Sequence, residues 1–281
     1  MRIGAAAGFW VAVVMTAPAA AQDSLPGRAG RIPPGCSEAP RQDRLDGVTA
    51  DGDLVLGSER LARLAGIRLA DDPTQRQKAL EWLKAQVGRS VLVSSQGPRD
   101  RWDRLPVRAR VFQPAGTLDL SQGLTEAGLA LVDAGADSVF CQPELLALEE
   151  TARERRLGLW AEARYNPIPA DQADRLKERV GRFVIVEGRV RSIGERKQRT
   201  YVNFGGQWAD DFTIIIPKKT WVRMAERGLS AETLKGHIIR ARGILQSWQG
   251  TALTVDLPEM IERLEGGSLQ GTKREDKRLA R

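Results

Sequence analysis

One histidine and two cysteines are all that this 281-residue chain contains of those two residue types. With His237 alone, a zinc site or a histidine-based triad has almost nothing to be built from, since both need imidazole as ligand or base. Cys36 and Cys141 lack the short spacing of metal-ligating thiols. Beyond the first 21 residues no apolar run is long enough to span a bilayer as a helix. Pro33-Pro34-Gly35 ahead of Cys36 is not the pattern that precedes a lipid-modified cysteine. No internal repeat stands out.

What is present is an ordinary globular composition, 42% hydrophobic and 28% charged, with a length that suits one or two domains. The formal charge of +7 favours acidic partners, although the excess is modest for this size. Residues 1–21 read as a signal peptide: Arg2, an apolar run from Ala5 to Ala17, and Ala19-Ala20-Ala21 as the cleavage site. The protein is therefore expected in the periplasm or secreted. In that oxidising setting Cys36 and Cys141 are expected to form a disulfide that ties the N-terminal segment to the body.

Residues 22–44 are rich in Pro, Gly and Arg and read as a flexible lead-in. Val48 to Leu56 alternates about the turn Asp51-Gly52-Asp53, and Leu61 to Leu69 reads as one buried-edge strand. Asp72-Pro73-Thr74 opens a helix that Gly88 ends. Further strands are expected at 90–94 and 107–112, a short helix at 118–128, and extended chain at 129–132. Pro143 to Arg156 is an amphipathic helix, with Leu145, Leu148 and Ala152 inward and Arg153, Arg155 and Arg156 towards solvent. Gly158-Leu159-Trp160 closes this region.

Pro167 and Pro169 mark a linker at 164–179. From 180 to 264 the order is three strands, a helix broken at Gly228, then two more strands, which is the order of an OB-type barrel. The remaining 265–281 is Gly-rich, then charged, and reads as a disordered tail.

The segment 45–163 resembles the staphylococcal nuclease-like (thermonuclease) family. The resemblance rests on Asp51-Gly52-Asp53, Arg63-Leu64-Ala65-Gly66-Ile67, Asp100-Arg101-Trp102-Asp103-Arg104, and Gly158-Leu159-Trp160 after an Arg-rich helix. It implies an α+β, barrel-rich fold: a five-stranded OB-type nuclease-like barrel with helices, followed here by a second OB-like barrel. Family members hydrolyse DNA or RNA with one calcium ion. Two carboxylates hold the ion, a further carboxylate activates water, and two arginines neutralise the phosphorus centre.

Carried over, the resemblance makes Arg63 and Arg104 the two arginines, Asp53 a metal carboxylate and Asp71 the counterpart of the catalytic glutamate. The second metal carboxylate is replaced by Arg68, Asp71 is one methylene shorter than glutamate, and Asp103 stands where a glycine is usual. A cation in place of a ligand carboxylate opposes a dication by several kcal/mol per unit charge, even at an effective dielectric of about 20. The sequence-based expectation is therefore an exported protein with weak or absent phosphodiesterase activity. Arg63, Arg68 and Arg104 would bind phosphate, on nucleic acid or another phosphate-rich polymer, with no cofactor. Calcium enters only in the alternative of an active divergent nuclease. A blander possibility pairs Arg68 with Asp53 or Asp71. A third reading is an envelope module for a protein partner. In the second barrel Tyr201, Trp208 and Trp248 are candidates to stack bases, beside Arg189, Arg191 and Arg196.

Overall fold

The computed structural model describes Cys36 and residues 39–58, 60–206 and 211–264. The stretch expected to be a signal peptide, much of the expected lead-in, Trp208 and the expected tail at 265–281 lie outside the described residues.

Regular structure begins inside the stretch expected to be a lead-in, with β1 (Arg41–Val48). Its first half pairs with β5 (Ser90–Ser95), from Arg41 opposite Val93 to Arg44 opposite Ser90. Its second half turns through Asp51-Gly52 onto β2 (Leu54–Leu56). Gly52 has φ of +91°, and a Cβ there would lie 2.5 Å from a Leu69 methyl, so the turn needs glycine twice over. β3 (Leu61–Leu64) pairs antiparallel with β2 and parallel with β6 (Leu105–Gln113). The order β3-β2-β1-β5-β6, with β6 returning to β3, is a closed five-stranded barrel. Closure leaves no bare strand edges. Leu45, Leu54, Leu56, Ala62, Leu64, Val91, Val107, Ala109 and Val111 fill the core with the alternation that a pleated strand imposes. A hairpin strand, β7 (Gly116–Asp119), extends β6.

The expected single strand over 61–69 is two. The chain leaves the barrel at Gly66 (φ +75°), where a Cβ would meet the Phe140 ring at 3.0 Å. Beyond it, β4 (Ile67–Leu69) pairs instead with β8 (Ala130–Val132). α1 (Pro73–Lys84) starts as expected: Asp72 accepts the Gln75 N–H at 3.1 Å and Pro73 fills the first helical position. α2 (Leu120–Glu126) is capped by Asp119, and α3 (Glu144–Glu154) follows the Cys36–Cys141 disulfide, which is formed.

The linker contributes structure of its own. β9 (Ile168–Pro169) runs parallel to β10 (Phe183–Arg189), and α4 (Ala173–Lys177) lies between them in sequence. β11 (Ser192–Glu195) continues β10 after a bend. β10 pairs with β14 (Ile238–Ser247), while β11 pairs with β12 (Arg199–Asn203). β13 (Phe212–Pro217) lies between β12 and β15 (Thr251–Thr254), and α5 (Lys218–Glu226) with α6 (Ala231–Leu234) precedes β14. Taking β10 and β11 as one bent strand, the order is first-second-third-fifth-fourth, as in the first barrel. In both barrels the third strand pairs parallel with the fifth, and a helix follows the third. A last strand, β16 (Ile261–Leu264), lines β14.

Both barrels fall within one compact unit, and charged residues tie them together. Glu149 on α3 is completely buried and accepts from Arg242 of β14 at 2.6 Å and from the Val132 N–H at 2.7 Å. Arg242 also reaches Glu262, and Arg240 joins Glu187 at 2.7 Å and Glu150. Arg153, expected to face solvent, instead lies over the Trp160 ring beside this cluster. Burial, and then the neighbouring Arg240, push its guanidinium down to about 10. The helix is amphipathic as expected, but its inner face carries a charge because a second barrel supplies the partner.

Candidate functional site

Three loops and two strands bring the family-related residues together at one mouth of the first barrel. On β3, Ala62 and Leu64 point into the core, so the intervening Arg63 faces outward. Asp53 is held by the β1–β2 turn, its N–H donating to Thr49 Oγ1 at 3.0 Å. Arg104 closes the loop that begins at Pro98. Asp100 organises that loop: one carboxylate oxygen accepts the N–H groups of Trp102 (2.9 Å) and Arg104 (3.1 Å), and the other accepts Arg104 Nε at 2.9 Å. Asp103 adopts a φ of +60°. Aspartate is one of the few side chains that tolerate this left-handed region.

Between these elements lies a cleft of about 440 Å³. Its walls carry four arginines, Arg63, Arg68, Arg76 and Arg104, and five aspartates, Asp51, Asp53, Asp71, Asp100 and Asp133. Arg104 Nη1 lies 3.2 and 3.3 Å from the two carboxylate oxygens of Asp53. Arg63 donates to Asp137, and its Nε is 3.9 Å from Asp100. Burial raises the Asp100 carboxyl, but hydrogen bonds from the Arg104 side chain and backbone outweigh this and hold it below the usual aspartate range. Burial likewise opposes the charge of Arg104, and Asp100 and Asp53 overcome it, raising its guanidinium.

Arg68 does not pair with Asp53 or Asp71, the partners considered from sequence. It donates through Nε to Asp133 at 2.9 Å, with Nη2 at the same distance, and its guanidinium lies against the Phe183 ring of the second barrel. Asp71 also turns towards the second barrel, meeting Arg182 at 3.3 Å, with Arg76 at 3.9 Å. The first barrel therefore gathers Asp53, Arg63 and Arg104, while Arg68 and Asp71 sit on the rim that the second barrel approaches. Sequence reasoning missed Asp133, Asp137 and Asp100. The first two stand four residues apart after β8 and meet Arg68 and Arg63, respectively, only through the fold. Asp100 was visible in the Asp-Arg-Trp-Asp-Arg segment and was given no role.

These residues do not fit a calcium ion. Calcium needs six to eight oxygen ligands. Here the Asp53 carboxylate is taken up by Arg104, and a cation stands at 68. Among the described residues no group of three or more acidic, histidine or cysteine side chains converges as a metal site.

In the second barrel, Tyr201 is half-buried in the β12 ladder opposite Ile215, and Trp248 is 44% exposed at the β14–β15 turn. Among the described residues the two make no ring contact with one another; Phe204 and Phe212 do, as core neighbours.

The staphylococcal nuclease homologue family matches residues 70–162, a stretch that includes Arg104 and starts after Asp53, Arg63 and Arg68. The chain is 35% identical over 89 residues to a probable endonuclease of Clavispora lusitaniae, covering 30% of this chain and 38% of that protein. It is 28% identical over 129 residues to uncharacterized endonucleases of Escherichia coli and Escherichia coli O157:H7, covering 44% of this chain and 76% of each. The chain thus spans well under half the length of the first relative. Closed barrel, flanking helices and sequence likeness agree in making residues 70–162 of this chain similar to the staphylococcal nuclease homologue family.

Proposed function

We propose that the protein holds nucleic acid, or another phosphate-rich polymer, at the first barrel with little or no hydrolysis. The observation that carries this reading is Arg68. By the resemblance it stands where the family has a metal carboxylate; it is bonded to Asp133, and Asp53 is paired with Arg104. Hydrolysis by the family route would need that charge reversed. Binding needs only guanidinium edges, and Arg63 and Arg68 each spend one part of the group on aspartate while other N–H donors remain for phosphate oxygens. The aspartates orient the arginines but also cancel their charge, so affinity from this cleft alone is modest and strongly salt-dependent. A setting outside the cytosol accords with the Cys36–Cys141 disulfide and the leader-like first 21 residues.

The test is incubation of the protein with single-stranded DNA and RNA, with and without calcium, followed by a salt titration of binding. No metal-dependent cleavage and a steep loss of affinity with salt are expected. Calcium-dependent cleavage that disappears in Asp53→Ala or Arg104→Ala would establish an active divergent nuclease instead. Absence of binding at low salt would favour a protein partner.

A further inference from the structure

A second cleft, of about 560 Å³, opens where the linker and the first strand of the second barrel meet the rim of the nuclease-like barrel. It shares Arg68, Leu69 and Asp71 as walls with the first cleft, so the two are neighbours across one ridge. Four arginines stand on its walls: Arg68, Arg164, Arg179 and Arg182. Three acids oppose them. Asp71 meets Arg182 at 3.3 Å, Asp72 meets Arg164 at 3.0 Å, and Glu178 is the third. Unlike the first cleft, this one has more arginines than acids. Arg179 has no side-chain partner among the described residues, although it is only partly exposed.

Two of these arginines lie against aromatic rings. The guanidinium carbon of Arg68 is 5.4 Å from the Phe183 centroid, and that of Arg164 is 5.2 Å from the Tyr165 centroid. Arginines alternating with half-buried aromatics along a groove are what a single strand requires, with cations following the phosphates and flat groups receiving bases. A double helix presents no unstacked bases to such a groove.

We infer that this junction is a second subsite, which binds the continuation of a single-stranded nucleic acid whose other end occupies the nuclease-like cleft. The inference rests on the nucleic-acid-holding reading above. Arg68 stands at the handover between the two clefts, Arg179 and Arg182 contact phosphates, and Phe183 and Tyr165 with their stacked arginines flank the bases.

The experiment compares binding of an oligothymidine trinucleotide and a decanucleotide to the full chain, to Arg179→Ala, to Arg179→Glu and to Arg63→Ala. Thermal unfolding confirms that each variant is folded, and among the described residues Arg179 has no side-chain partner whose loss would unfold it. The unmodified protein should bind the decanucleotide at least several-fold more tightly. Arg179→Ala should remove several-fold of that gain, Arg179→Glu more, and each should leave the trinucleotide unchanged. The salt dependence for the decanucleotide should fall by about 0.7 in log-log slope for each phosphate that is no longer neutralised. Arg63→Ala should weaken both lengths. Equal binding of both lengths by the unmodified protein, or a decanucleotide affinity indifferent to both Arg179 variants, overturns the junction subsite while leaving the first cleft standing. Binding of neither length by the unmodified protein overturns both readings.

Discussion

The guanidinium carbon of Arg68 lies 5.4 Å from the centre of the Phe183 ring, so this residue on the rim of the first barrel touches the neighbouring barrel. Its Nε and Nη2 hold Asp133 from the other side. One side chain thus does two things that an aspartate at that position would prevent: it neutralises a nearly buried carboxylate, and it bridges the barrels.

Reversing the charge at this position tests whether Arg68 keeps the cleft from cutting. Arg68→Asp combined with Asp71→Glu restores the acidic pattern and should confer calcium-dependent cleavage of single-stranded DNA, read on a denaturing gel. The same change leaves Asp133 without its partner and places a like charge beside it. Because Arg68 is about a third exposed, the expected loss of stability is only about 1–2 kcal/mol by urea unfolding. A double variant that is folded and inactive with calcium would show that other departures silence the site.

The buried pair Glu149–Arg242 should behave differently from the surface ion pairs. Both side chains are at most 1% exposed. Arg242→Met strands the Glu149 carboxylate and should cost about 3–5 kcal/mol. Glu149→Gln in the same chain should recover a large part of that, since the uncompensated charge is then gone. Equilibrium denaturation of the two single variants and the double variant measures the coupling.

The disulfide joins residues 105 apart in sequence. Closing so long a loop should contribute roughly 4–5 kcal/mol on the chain-entropy model. Replacing both Cys36 and Cys141 by serine should lower the urea midpoint with little change in slope. A marked change in slope would mean that the reduced chain also unfolds differently.

Asp100 predicts an acid limb. Its folded carboxyl titrates below the ordinary value of 3.8, chiefly because the hydrogen bonds from Arg104 outweigh the penalty of burial. A depressed carboxylate contributes stability in full above its unfolded value and loses it as pH falls through the folded one. Melting temperature should therefore drop as pH is lowered from about 4, and Asp100→Asn should be less stable at neutral pH yet flatter over that acid range. An unchanged pH profile in Asp100→Asn would remove Asp100 as the clamp of this loop.

Much of this protein is legible without coordinates. Asp72-Pro73 announces a helix start because a carboxylate cap and a residue with fixed φ are local devices. The strand–strand–strand–helix–strand–strand order of the second barrel follows from alternation and turn residues, which are also local. The phosphate-type arginines Arg63 and Arg104, the Asp53 turn and the cysteine pair stand out by residue type and order. Where local signals misled, a distant partner was responsible. Leu61 to Leu69 has the pattern of one strand, but the chain leaves the barrel at Gly66, where Phe140 and Leu145, more than seventy residues on, leave little room for a Cβ. Arg153 looks like a solvent-facing residue until the second barrel covers it.

The sequence by itself determined the two barrels and the helices between their third and fourth strands, since these depend on neighbours a few residues away. Only the tertiary structure decided which aspartate each arginine meets, that Asp133 rather than Asp53 holds Arg68, and that the two barrels share a cleft. Ion pairing acts over a few ångströms of space regardless of separation along the chain, and with many arginines and aspartates available, the fold alone chooses among them.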